Sequence, residues 1–413
     1  MQQNHREFNK KFDKCIKIHN YAPTMHNYLA DQKASASLSA SLVGARGYAG
    51  IELAKLLIRH PYIKLTTAFA TGEFSLHEEL MDERFESVKC LSISATPTEV
   101  LNDPSHVVFL ATPIETSLQL APELLKSGKT VIDLSGAFRL KKNDYQKWYK
   151  LAHPTPELIA SAEYGLQPFS SRRCLGLFKK APRLISNPGC YATAIAMALI
   201  PLLKRSLINP KHIVIDAKSG TSGAGKKAQE NLLFTEVDGE CLPYRVGQHQ
   251  HHPEIQESIE AFSQVHIDPH FTTNLLATPR GLIAGIYAEA MTENIQDITR
   301  AFAEEYAGYS LVRHSTKISQ YASLKRVVHT PYTHISYELV GRKLYVFSCI
   351  DNLLKGAASQ AIENLNQLLG LPLDFSLVDQ ALKQVQDPKI REDFPGNEAS
   401  GVFEQAQACE AQP

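Results

Sequence analysis

Three observations predict an α/β protein with a doubly wound parallel sheet followed by a second, α+β half. Leu42-Val43 runs into a glycine-rich turn, Gly44 to Gly50, and then into Ile51 to Leu57, which is apolar at helical spacing. Buried-strand patterns recur at Ile63 to Ala70, Val107 to Ala111 and Val131 to Leu134, with a helix-like stretch, Thr116 to Ser127, before the last. That β-α alternation builds a parallel sheet. Past Cys190 the pattern changes to alternating segments, which suit a mixed or antiparallel sheet.

Residues 1–37 have no clean periodicity and are expected to be a mobile extension. The strand, glycine turn and helix at 42–57 form the context of a Rossmann-type dinucleotide-binding domain. There a bare helix N-terminus receives the pyrophosphate, although the spacing here is GxxGxxG. Gly44, Gly47 and Gly50 are the candidate cofactor-binding glycines. The next strand ends in Ala70-Thr71-Gly72 with no acid at the ribose position. With Arg46 close by, that end suits a 2′-phosphate, so NADP is expected over NAD. Later strands end at Thr112 and at Ser135-Gly136-Ala137-Phe138-Arg139. Thr112, Ser135 and Arg139 are therefore placed to meet a cofactor or an anion, with a surface ion pair as the other reading of Arg139.

The run Asn187-Pro188-Gly189-Cys190 then puts a thiol at the mouth of an apolar helix, Ala194 to Leu203. A helix N-terminus favours thiolate, so the expectation is a nucleophilic cysteine of lowered pKa. His212 to Ala217 reads as a strand that leads into Ser219-Gly220-Thr221-Ser222-Gly223-Ala224-Gly225-Lys226-Lys227. This loop is either an anion cradle or a solvated loop. Three histidines in four residues (His249, His251 and His252) lack the paired cysteines or HExxH helix of a zinc site. No metal is expected, and one or two of them suit acid/base work. Strands are expected at Gly281 to Glu289, Val327 to His329, Ile335 to Val340 and Lys343 to Cys349. A helix capped by Asp351 or Asn352 follows, then a short helix from Phe375 to Val385 and a disordered tail.

Composition fits this division. A chain of 413 residues suits two domains with appendages, and Lys+Arg equals Asp+Glu at 43 each, which argues against nucleic-acid or membrane-surface partners. The longest apolar run is too short to span a bilayer, and no signal-peptide pattern opens the chain. The seven cysteines (Cys15, Cys90, Cys174, Cys190, Cys241, Cys349, Cys409) are scattered, as in a reducing, cytoplasmic protein. The expected division is 1–37 extension, 38–187 cofactor domain, 188–350 catalytic domain, 351–370 C-terminal helix and 371–413 tail.

Taken together, these segments resemble the N-acetyl-gamma-glutamyl-phosphate reductase family. The resemblance rests on Gly44 to Gly50 with Tyr48, Asp133 to Arg139, Tyr164-Gly165-Leu166, Asn187 to Thr193, Ser219 to Ala228, His249-x-His251-x-x-Glu254-Ile255, and Asp351 to Ala358. The chain departs from the family's usual residues at Arg46, Ile114, Gln250 and Thr330-Pro331-Tyr332. The resemblance implies a Rossmann domain, a second α+β domain and a late helix returning to the first. It implies NADPH-dependent reduction of an acyl phosphate to a semialdehyde through a thioester on Cys190, with His251 as acid/base and His249 in support. It also implies homo-oligomerisation, as dimer or tetramer. Tyr48, Gly223 and Asn352 join the cofactor-binding candidates, and Ser219, Thr221, Ser222, Lys226, Glu254, Arg280 and Arg139 are the candidates for substrate or phosphate. The alternatives are a relative acting on another acyl group (N-succinyl, aminoadipyl or aspartyl) and a non-catalytic NADP-binding regulator.

Overall fold

The computed structural model describes residues 38–93, 98–170 and 183–378, which from Ser39 onward belong to one compact unit. The expectations for 1–37, Cys15, Cys174, Cys409 and 379–413 fall outside the described residues.

The first sheet has seven strands: β1 (Leu38–Val43), β2 (Ile63–Ala70), β3 (Lys89–Ser92), β4 (Val107–Leu110), β5 (Thr130–Asp133), β6 (Glu163–Tyr164) and β7 (Leu184–Ser186). Their order is β3-β2-β1-β4-β5-β7-β6, and the pairs β2–β3, β1–β4, β4–β5, β5–β7 and β6–β7 are parallel. All four residues of β4 and of β5 are buried, as expected of strands covered on both faces. Helices α1 (Tyr48–Leu57) and α2 (Ile114–Lys126) follow β1 and β4. The strand order reverses between β1 and β4, so their C-terminal ends open a crevice beside Gly44 and Thr112.

The second sheet is mixed, in the order β12-β13-β14-β11-β8-β10-β9. Its strands are β8 (Ile208–Gly220), β9 (Cys241–Pro243), β10 (His270–Leu276), β11 (Leu282–Ala290), β12 (Val312–Ser315), β13 (Thr333–Val340) and β14 (Lys343–Ile350). One face packs on α3 (Cys190–Lys204), whose residues Tyr191 to Leu203 are all buried. A helix apolar all round belongs inside a core. Pro201 sits within it and offers no N–H to the carbonyl of Met197; the Tyr306 hydroxyl donates to that carbonyl instead. Two further helices, α4 (His251–Ser263) and α5 (Ile295–Glu305), pack against α3.

The expected strand at Val327 to His329 is a turn. His329 has φ of 65°, and its N–H donates to Asp351 Oδ2 at 2.7 Å, so the segment is bound to a side chain and not to a sheet edge. After β14, Asp351 Oδ1 accepts from the N–H groups of Leu353 and Leu354, giving the expected acidic cap. The chain then makes a π-helical turn, Leu354–Ala358, before α6 (Ser359–Leu369). Phe375 to Val378, the described part of the last expected helix, are turn and bend.

The C-terminal segment is bound to both sheets. Asn364 Nδ2 donates to Gly165 O (3.0 Å) and Asn187 Oδ1 (2.9 Å), and Asn187 Nδ2 donates to Ala357 O (3.1 Å). Lys355 is fully buried; its Nζ donates to Glu363 Oε1 and to Tyr309 Oη, both at 2.7 Å.

Candidate active site

Cys190 is the first residue of α3, with Gly189 as N-cap. A side chain at 189 would displace the site's own groups, because a Cβ there would lie 2.4 Å from His251 Nε2 and 2.8 Å from an Arg139 nitrogen. Cys190 opens onto a cavity of about 570 Å³ that Ser219, Gly223, His249 and His251 also line. That size suits a small-molecule ligand.

His251 is the first residue of α4. The His249 Nδ1 accepts its main-chain N–H at 3.1 Å, which satisfies one orphan donor of the helix and leaves the hydrogen of a neutral His249 on Nε2. The two imidazoles stand 4.8 Å apart, and Tyr191 lies beside both, at 5.3 and 5.8 Å between ring centres. Burial pulls His251 down to about 3 and His249 to about 2, each helped by nearby cationic charge, so both are neutral bases at neutral pH. His251 Nδ1 has no hydrogen-bond partner among the described residues.

Glu254 lies three residues on from His251 and ties the two helices together. Its Oε1 accepts from Gly189 N (2.7 Å) and from the Tyr164 hydroxyl (2.8 Å), and its Oε2 lies 3.8 Å from His251 Nε2 and 3.6 Å from Arg139. Arg139 also donates to Asn187 O (2.8 Å) and Leu134 O (2.6 Å). Both side chains are thus spent on holding the segment that leads into Cys190.

The expectation of a depressed thiol meets a correction here. Burial pushes Cys190 up to about 11, although the Arg139 charge and the N–H groups of Tyr191 and Cys190 act the other way. Desolvation outweighs the helix terminus, so the resting group is a thiol and needs a base. Alkylation of Cys190 in the ligand-free protein, followed on its own peptide by mass spectrometry, should therefore rise about tenfold per pH unit from pH ~7 to ~9. A plateau already reached by pH ~7 would contradict this.

The π turn closes over the sulfur's own residue. A Cβ at Gly356 would lie 2.6 Å from Cys190 Cβ. Gly356→Ala must displace Cys190 or the turn, and should lower kcat by roughly 10²-fold, since a shift near 1 Å has that effect on aligned groups. Cofactor affinity should hold, as measured by NADPH titration.

The remaining candidates are distributed over other cavities. Gly44, Arg46, Gly47, Thr71 and Thr112 line one of about 430 Å³ at the crevice of the first sheet. Gly47 is the N-cap of α1, with no side-chain cap and no acid in the first turn, so the helix terminus is bare. Arg46 pairs with Glu79 at 2.8 Å and is within 4.0 Å of where a Cβ on Gly72 would sit. An arginine beside a strand end whose own residues, Ala70-Thr71-Gly72, carry no acid fits a dinucleotide bearing a 2′-phosphate, which would compete with Glu79 for it. Gly50 is buried in α1. Ser135 lies two residues past the C-terminal end of β5, donating to Asp133 Oδ2 at 2.8 Å. Tyr48, Thr221, Ser222, Lys226 and Arg280 line a further cavity. Arg280 is held there by Glu52 (3.2 Å) and Asp351 (3.0 Å), and Asn352 bridges Gly281 N (2.8 Å) to Ser222 Oγ (3.0 Å). The structure therefore gathers Cys190, both histidines, Ser219 and Gly223 around one cavity, and places Thr221, Ser222, Lys226 and Arg280 in an adjoining one that shares Gln229 and Leu232 with it. Sequence reading assigned no role to Arg245, which lines the Cys190 cavity.

A family model described as the semialdehyde dehydrogenase NAD binding domain matches residues 39–175, and one described as the semialdehyde dehydrogenase dimerisation domain matches residues 190–352. The N-acetyl-gamma-glutamyl-phosphate reductase of Geobacillus sp. (strain WCH70) is 37% identical over 338 residues, covering 81% of this chain and 96% of that protein. The chain belongs to the N-acetyl-gamma-glutamyl-phosphate reductase family. The reductase of Streptococcus gordonii is 34% identical over 82% of this chain and 98% of its own. Among solved structures, aspartate semialdehyde dehydrogenase II of Vibrio cholerae, complexed with ASA, superposes with a TM-score of 0.59 over 81% of this chain and 99% of that chain. A probable aspartate-semialdehyde dehydrogenase of Pseudomonas aeruginosa gives 0.59 over 80% and 98%. At 15% and 17% identity these two establish the shared fold alone.

Proposed function

We propose that this protein reduces N-acetyl-gamma-glutamyl phosphate to N-acetyl-glutamate 5-semialdehyde and phosphate, with NADPH, as a step of arginine biosynthesis. The observation that carries this reading is a helix-N-terminal cysteine sharing a closed-in cavity with a neutral, buried histidine, in a chain of this family. On this reading residues 38–187 form the cofactor part, 188–350 the catalytic part, and 351–370 the segment joining them. The working location is the cytoplasm; among the described residues no helix is long and apolar enough to cross a membrane.

In the mechanism, His251 takes the Cys190 proton as the sulfur attacks the acyl carbon. The bond to the phosphate oxygen breaks, leaving a thioester on Cys190. The imidazolium so formed faces Glu254 Oε2, whose charge stabilises it. N–H groups at the start of α3 stabilise the developing oxyanion. NADPH, when bound, supplies the hydride that brings the acyl carbon to the aldehyde level; Gly44, Arg46, Gly47, Thr71 and Thr112 are the residues that would hold it. As the carbon–sulfur bond breaks, His251 returns a proton and the semialdehyde departs.

The test is the reverse reaction. N-acetyl-glutamate semialdehyde, phosphate and NADP should yield NADPH absorbance that requires phosphate. Phosphate-independent NADPH formation would contradict acyl-phosphate chemistry.

The same reading includes pairing of two copies. The face of the second sheet turned away from α3 carries Val214, Tyr287 and Tyr345, with the two tyrosine rings 6.0 Å apart, and Val214 is 43% exposed. The matched model described as a dimerisation domain spans this sheet, and an apolar patch of this kind, flanked by the ion pairs of Asp216 with Lys218 and of His212 with Glu289, suits a second copy. A monomer at micromolar concentration in sedimentation velocity would contradict it.

A further inference from the structure

The proposed substrate carries two anionic groups, the phosphate that leaves and an α-carboxylate that stays. The cavity of Cys190 has to hold the second through both halves of the reaction. Among the described residues lining that cavity, Arg245 is the one lysine or arginine, and no aspartate or glutamate lines it. With His249 and His251 held neutral by burial, Arg245 is the cavity's formal charge.

The other cations that sequence reading nominated are engaged elsewhere. Arg139 is bound to two carbonyls and to Glu254. Arg280 is bound to Glu52 and Asp351 in the adjoining cavity, and Lys226 lines that cavity too, with its Nζ 3.3 Å from Arg46 O.

Arg245 lies on an exposed turn at the mouth of the cavity, with φ of +46° in the left-handed region. Its guanidinium donates through Nη1 to Gln250 Oε1, the residue between the two histidines. That leaves the rest of a planar fork of donors, the geometry that pairs with a carboxylate through two parallel hydrogen bonds.

We propose that Arg245, held by Gln250, binds the α-carboxylate of the substrate and is the residue that selects a carboxylated acyl chain. This rests on the functional reading above. The carboxylate is favoured over the phosphate because phosphate is gone once the thioester forms. The acyl chain must then stay aligned for reduction, and an anchor on the departing group cannot do that. Were Arg245 the phosphate site, the thioester's carboxylate would have no counter-charge in the cavity.

The experiment compares two aldehydes in the reverse reaction, at saturating NADP and phosphate: N-acetyl-glutamate semialdehyde, and acetamidobutanal, the same chain with hydrogen in place of the carboxylate. For R245Q, kcat/KM for the carboxylated aldehyde should fall on the order of 10²-fold, chiefly through KM. Activity on acetamidobutanal and the KM for phosphate should both stay within about threefold. R245K, which keeps the charge but loses the fork, should fall between wild type and R245Q. Equal losses on both aldehydes would overturn the proposal in favour of a role in loop structure. A raised phosphate KM with an unchanged aldehyde KM would overturn it in favour of the phosphate. Wild-type inactivity with both aldehydes would instead overturn the functional reading itself.

Discussion

Replacing Cys190 by serine should lower turnover by roughly 10³-fold or more while NADPH binding, measured by fluorescence titration, stays unchanged. Serine fits the same space, so the fold and the start of α3 should persist. What changes is the nucleophile. Burial already holds the thiol at about 11. A hydroxyl is a far weaker acid in the same surroundings and a poorer nucleophile, so the neutral His251 has much less to activate. An oxygen ester would also leave less readily than a thioester after reduction. Retention of more than about a tenth of wild-type activity would contradict covalent catalysis at Cys190.

Lys355→Met should destabilise the protein by about 3–5 kcal/mol, read as a lowered urea midpoint. Lys355 and Glu363 are both fully buried, and their contact of 2.7 Å is completed by the Tyr309 hydroxyl, which bonds to both. Removing the ammonium leaves a carboxylate in the core without its counter-charge. Burial raises the Glu363 pKa, and Lys355 is among the groups that hold it down, so in the variant Glu363 should take up a proton more readily. The loss should therefore shrink as pH falls. Lys355→Met combined with Glu363→Gln should recover much of the stability, because no charge is then stranded. A single variant as stable as wild type would show that the pair contributes nothing net. The effect reaches the site, because Gly356, next in sequence to Lys355, is packed on Cys190.

Several parts of this fold are legible in the sequence because local and global preferences agree. β2 runs from Ile63 to Ala70, the span its apolar and threonine residues mark. Helix α3 was legible as an apolar run, but it begins at Cys190, one turn before Ala194, because Gly189 and the Glu254 carboxylate at its N–H form the start. Short edge strands such as β6, with two residues, carry too little pattern to be seen. β10 was missed because its outward positions are His270, Thr272 and Asn274, which read as loop.

The site was legible in identity and not in electrostatics. Cys190 and the run of His249, His251 and His252 could be singled out by residue type and spacing, and the choice of His251 with His249 came from the family resemblance. The sign of the Cys190 shift could not, since it depends on burial, which in turn depends on α6 and the π turn folding back from more than 150 residues away. Arg139 was open to two readings at a strand end, an anion site or an ion pair, and Arg280 was a candidate for substrate or phosphate; their acidic partners, Glu254, Glu52 and Asp351, are remote in sequence. Arg245 had a local signal, a cation four residues before His249, but only the backbone geometry turns it toward Gln250.

The central claim is an acyl group carried on Cys190, and a single-turnover experiment without nicotinamide tests it most directly. The protein is mixed with N-acetyl-gamma-glutamyl phosphate, quenched in acid, and assayed both for released phosphate and for the mass of the Cys190 peptide. The account predicts a burst of about one phosphate per active site, matched by an N-acetylglutamyl adduct on Cys190 that is lost on treatment with hydroxylamine. No burst and no adduct, with the same protein competent in the full reaction, would contradict it.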